Sequence, residues 1–178
     1  MADQDLNNRL FNKLTPDNWR ELEGTGSHIV RVKSDGTTET LSEDDWASRF
    51  LEQELSQNVP EDIRNMFEVA QGVLCYGCYF YPLYTLGSEQ LYRVQEAALL
   101  NKCAQMGAPK KVQRFVSAID WMKEQDALSD GRYDQWSATR RLRNMTSHAD
   151  KQSLLDQTMA LSGVVIAVEL INELFEDG

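Results

Sequence analysis

The chain has 178 residues, enough for one domain with a real core and too few for two comfortable ones. An apolar share of 42% and a charged share of 26% exclude a mostly disordered chain. A formal net charge of −10 excludes a surface that draws nucleic acid from a distance. Any RNA contact must then come from a local basic patch, and a basic protein is an equally good partner.

In chain order, residues 1–26 are polar. Thr15-Pro16-Asp17 has the form of a helix start, with Trp19 and Leu22 following and Gly24 and Gly26 closing it. Residues 28–41 change period: Ile29, Val30 and Val32 precede Ser34-Asp35-Gly36-Thr37, and Thr38, Thr40 and Leu41 follow. Asp-Gly between β-prone runs predicts a hairpin, and an isolated hairpin has to lean on something else.

From Ser42 onward the pattern is helical. Ser42 with Asp45 resembles a capping box, and Trp46, Phe50 and Leu51 follow at helical spacing. Pro60 opens a helix carrying Ile63, Phe67, Ala70 and Leu74 into the aromatic run at Tyr76, Tyr79 and Phe80. Pro82 and Gly87 predict a kink or break, and a further helix is expected from about Ser88 to Gln105. Gly107-Ala108-Pro109 is a stop. Residues 110–125 form another amphipathic segment, and Ser129-Asp130-Gly131 a turn. A helix then carries Trp136, Leu142 and Met145 toward His148. The last helix, from about Ser153 to Phe175, is apolar on most sides, which predicts a place at the bundle centre. The expected fold is all-α, a bundle of four to five main helices with a small N-terminal β-hairpin. Residues 1–59 are read as the extension and residues 60–178 as the bundle, together one compact unit.

Three cysteines do not make a disulfide framework. Cys75-Tyr76-Gly77-Cys78 lacks the second pair a zinc site needs, and it lies in an aromatic helix rather than at a helix start after a strand. Core cysteines are the expectation, with no metal and no cofactor. The tyrosines around them are read as core or dimer interface rather than as a base-stacking platform. The first five residues lack the charged and apolar run of a signal peptide. The most apolar stretch, 161–175, is interrupted by Glu169, Asn172 and Glu173, so no membrane span and a cytoplasmic location are expected.

The segment Arg140-Arg141-Leu142-Arg143-Asn144-Met145-Thr146-Ser147-His148 is the one that reads as a site. Across residues 138–152, Arg140, Arg141, Arg143 and Lys151 stand against Asp150 alone, a local charge of +3 in an acidic chain. Guanidinium groups donate paired hydrogen bonds to phosphate. Histidine, with an ordinary pKa of roughly 6.5, moves protons near neutral pH. Together they suffice for RNA cleavage without a metal: the histidine acts at the 2′-hydroxyl or the leaving 5′-oxygen, and the arginine holds the phosphate. Helical spacing limits which residues cooperate. Asn144 and Arg141 align with His148, whereas Arg143 and His148 diverge by about 140° on a straight helix. They converge only if the helix bends near Thr146-Ser147 or a second chain completes the site.

The run RNMTSH at 143–148, followed by a polar break and a long apolar helix, resembles the signature of the HEPN superfamily, an arginine and a histidine four to six residues apart. The resemblance covers residues 60–176. It implies a helical bundle, metal-independent endoribonuclease activity or RNA binding, and two motifs facing each other across a homodimer. It also implies a possible setting in defence or a toxin–antitoxin pair, with an antitoxin or other protein partner. By the same resemblance Arg143 and His148 are the catalytic candidates and Asn144 their support. Arg140, Arg141 and Lys151 are the phosphate-binding candidates. Two other readings stand beside it: a non-catalytic protein-interaction module and a nucleotide-binding regulator. Glu89 and Glu96, on the helix expected from about Ser88 to Gln105, could pair with the arginine cluster and hold or neutralise one of the arginines.

Overall fold

The computed structural model describes residues 11, 13–22, 30–40, 42–146 and 155–176. Strand β1 (Val30–Val32) pairs antiparallel with β2 (Thr38–Thr40), Val30 opposite Thr40 and Val32 opposite Thr38. The turn between them is set by Asp35, whose carboxylate accepts from the Thr37 backbone N–H at 2.9 Å and its hydroxyl at 2.6 Å. Those bonds hold the Asp35 carboxyl below its ordinary pKa. Gly36 takes φ +81°, which a side chain would strain.

Among the described residues six α-helices follow, where four to five main helices were expected: α1 (Glu43–Leu51), α2 (Glu61–Cys75), α3 (Pro82–Gln105), α4 (Phe115–Glu124), α5 (Asp130–Thr146) and α6 (Gln157–Leu174). The segment at Thr15 is a turn, not a helix. Thr15 and Asn18 exchange hydrogen bonds through their side chains, but Trp19 and Leu22 remain exposed. With nothing buried, a short segment does not recover the cost of nucleating a helix.

Two residues expected to break a helix do neither. Pro82 occupies the first position of α3, where its missing N–H is not needed. Gly87 lies inside α3, and a Cβ there would meet Leu74 Cγ at 2.5 Å and Cδ2 at 2.6 Å. Its role is close approach of α3 to α2. The 3-10 turn at Tyr76–Cys78 joins these helices, and Gly77 within it likewise leaves room for the Tyr84 ring. The last helix is also corrected. The centre belongs to α3, which packs against α2, α4, α5 and α6. Helix α6 buries Ala160, Val164, Ala167, Leu170, Ile171 and Leu174 and exposes Met159, Val165 and Ile166. By length and composition α6 is, among the described residues, the single helix that could cross a membrane, yet one face of it is spent on this packing.

Helix ends follow local chemistry. Ser42 accepts from Asp45 N–H while Asp45 accepts from Ser42 N–H, closing the expected capping box. Helix α3 ends in a Schellman motif: Ala108 N–H donates to Cys103 C=O and Gly107 N–H to Ala104 C=O, with Gly107 at φ +80°. Helix α4 ends the same way, with Asp126 in the left-handed position at φ +56°.

One hydrophobic cluster runs through the molecule. Trp46, Phe50, Leu55 and Val59 belong to it together with Phe67, Tyr84, Leu91, Phe115, Trp136 and Leu170. Gln71 donates to the carbonyls of Phe50 and Gln53, and Asn172 accepts from Ser56 N–H at 2.8 Å and donates to Glu54 C=O at 3.2 Å. Buried Gln71 and half-buried Asn172 thus fix the loop after α1 against α2 and α6.

Candidate functional site

Helix α5 is capped by Ser129, whose hydroxyl accepts from Arg132 N–H at 3.3 Å. Its first half is tied down. Trp136 and Thr139 are buried, and Arg132 is clamped by Glu169 at 2.7 Å and Glu173 at 2.6 Å, both on α6. Its second half leaves the core and carries the arginines.

Arg143, in the last turn, is ion-paired through Nη2 with Glu96 Oε2 of α3 at 2.8 Å. The other carboxylate oxygen of Glu96 accepts from Phe115 N–H, the first helical residue of α4, at 3.3 Å. One carboxylate therefore ties α3, α4 and α5 together and orients the guanidinium. The pair is only partly shielded, with side-chain exposures of 37% for Arg143 and 21% for Glu96. Thr146 Oγ1 donates back to Arg143 C=O at 3.0 Å at the end of the described helix. A cation in this turn also complements the helix dipole.

Of the residues expected to form the site, Arg140 is half-buried and Arg141 and Asn144 are exposed, all on the last two turns of α5. Arg140 stands one turn from both Arg143 and Asn144, so these three share a face, and Arg141 sits beside it. His148 and Lys151 lie outside the described residues, as does Ser147 of the expected bend, while Thr146 is still helical. Of the two acids proposed as partners, Glu96 is paired with an arginine.

The structure adds a feature that the motif did not signal. Helices α5 and α6 both rest on α3, and beyond the Arg132 clamp a groove of about 340 Å³ lies between them. Tyr92 and Gln95 of α3 contribute to its lining, with Thr139 and Leu142 from α5 and Met159 and Ile166 from α6. Gln95 and Thr139 occupy positions where the helical pattern calls for apolar side chains, being 2% and 6% exposed. That polar intrusion into a core register was the available sequence signal.

The cysteine pair offers no competing site. Cys75 and Cys78 are half-buried, not core as expected, and Cys103 is buried. Burial pushes all three thiols up, Cys78 and Cys103 to about 11, so they remain protonated at neutral pH and are poor nucleophiles. Among the described residues no three His, Cys, Asp or Glu side chains gather closely enough to hold a metal ion. Comparison with protein-family models, with curated proteins and with solved structures returned no match.

Proposed function

We propose that this chain is a HEPN-like, metal-independent endoribonuclease or RNA-binding protein that works as a cytoplasmic homodimer, in a defence or toxin–antitoxin setting. The observation that carries the reading is the anchoring of Arg143. Its guanidinium is held by Glu96 at the exposed end of α5, one turn from Arg140 and beside Arg141 and Asn144, in a basic segment of an acidic chain.

In this reading Arg143 stabilises the charge on the scissile phosphate while His148 transfers a proton. The 2′-oxygen attacks phosphorus, the bond to the 5′-oxygen breaks, and the products are a 2′,3′-cyclic phosphate and a 5′-hydroxyl. One proton leaves the 2′-hydroxyl and another joins the 5′-oxygen, so two proton carriers serve better than one. A second His148 from a partner copy supplies the other. Asn144 supports the pair, and Arg140, Arg141 and Lys151 track flanking phosphates.

The test is cleavage of a single-stranded RNA. His148→Ala and Arg143→Ala each abolish cutting, a chelator leaves it intact, and DNA of the same sequence is untouched for want of a 2′-hydroxyl. Loss of activity on chelation, or full activity in both variants, overturns the proposal. A second reading, a non-catalytic protein-interaction module, draws on the acidic surface and on Val69 and Tyr76 of the α2 region. These lie two turns apart and are 57% and 64% exposed. Capture of a stoichiometric protein partner with no RNA turnover favours it.

A further inference from the structure

We infer that the groove between α5 and α6 is a nucleobase pocket that holds the base of a nucleotide whose phosphate is taken by the arginines at the end of α5. The inference rests on the RNA reading above and deepens it by naming how the RNA is gripped.

Size comes first. A volume of about 340 Å³ lies at the small end of the range for ligand pockets, roughly 300–1,000 Å³. It suits one nucleotide and is small for a docked helix, which is about 10–12 Å across with its side chains. The chemistry of the lining comes second. Leu142, Met159 and Ile166 present apolar surface, 42%, 53% and 43% exposed, against which a flat ring can lie. Gln95 and Thr139 line the same groove and are more than nine-tenths buried. A primary amide carries both donors and acceptors, as the edge of a base does, and the hydroxyl can serve as either. A surface meant only for an apolar partner has no use for a buried amide and hydroxyl.

Charge comes third. Arg143 directly follows Leu142 of the groove wall, and its partner Glu96 directly follows Gln95 of the lining. The groove thus supplies apolar walls and a buried hydrogen-bonding edge, and the cationic last turn of α5 follows its wall in the chain. The occupant is a nucleotide unit, with its base against the walls and the buried edge and its phosphate at the arginines.

The experiment is titration of the full chain with the four ribonucleoside 5′-monophosphates, with ribose 5-phosphate and inorganic phosphate as probes lacking a base. At least one nucleotide is expected to bind about tenfold or more tightly than ribose 5-phosphate, the contribution of base contacts. Ala138→Phe on the α5 wall and Ser162→Phe on the α6 wall fill the groove from opposite sides, and each is expected to erase that margin. Should a filled variant fail to fold, amide shift mapping on the native chain decides, with the changes expected at Gln95, Thr139 and Gly163. Equal binding of nucleotide and ribose 5-phosphate overturns the inference. So does a margin that survives both filled variants. Conversion of a native dimer to monomer by both filled variants, with no nucleotide margin in the native chain, also overturns it and makes the groove an interface between copies. If the native chain neither binds nor cuts RNA while the nucleotide margin is present and groove-dependent, the pocket stands and the RNA reading falls.

Discussion

Where α2 meets α3, the helices approach until a methyl group has no room; where α5 meets α6, a clamp at one end leaves a groove at the other. The first junction is built from Gly77 and Gly87 against Tyr84 and Leu74, with Trp46 and Phe50 sealing it through ring contacts 5.0–6.3 Å apart. The second is built from Arg132 between two glutamates, followed by side chains of mixed polarity around unfilled space. Stability is concentrated at the first junction and chemical opportunity at the second. Substitutions at the two should therefore separate folding from function.

The largest effect is expected from Phe50→Ala. Phe50 is wholly buried, and its loss costs about 3–5 kcal/mol by chemical denaturation. A change under about 1 kcal/mol would show that the aromatic seal is not what holds the elbow. Next comes Gly87→Ala, which drives a methyl into Leu74 and costs about 1–3 kcal/mol. A neutral result would mean that the helices move apart freely there.

Alkaline pH gives a smaller, graded test. Cys78 and Cys103 ionise near 9.0 when exposed and near 11 in the fold, because burial disfavours the thiolate. Burial likewise pushes the Tyr84 phenol above its ordinary range. Above about pH 9 the unfolded chain releases thiol protons that the folded chain retains, so stability falls as pH rises from about 9 to about 11. Urea midpoints at pH 7 and pH 10 measure the fall. Cys78→Ala with Cys103→Ala flattens it, and an unchanged slope in that variant would assign the effect elsewhere. The smallest effect on folding belongs to Arg143→Ala, within about 1 kcal/mol for a pair that is partly open to water. Its cleavage should nonetheless vanish. A loss of several kcal/mol would make Arg143 a structural strut.

Reading the chain alone recovers the helical class, the capping box at Ser42, and the spacing of α2 and α4. Glycine and proline mislead because their local preference is ambiguous. Gly87 reads as a breaker, but the space it saves is visible only once α2 lies across it. Pro82 reads as a kink, though it opens a helix. Helix α6 reads as central because its composition is apolar, whereas α3, with polar residues at several positions, is enclosed by four neighbours. At the site, the arginine cluster and the acid opposite it were legible from spacing. The groove was not, because it depends on two helices diverging from a third. The relation of Arg143 to His148 lies outside the described residues.

Asn172 has a consequence for the order of folding. Its side chain is bonded to the backbone of Glu54 and Ser56, more than 110 positions earlier in the chain. Gln71 of α2 can hold the start of the loop leaving α1, but Glu54 and Ser56 are not fastened until α6 has been synthesised and has docked. Contacts of such long sequence separation delay folding, since most of the chain must be ordered before they close. During synthesis the far part of the α1 loop would wait while α3 to α5 emerge, and an amide near the end of the chain would then complete its attachment.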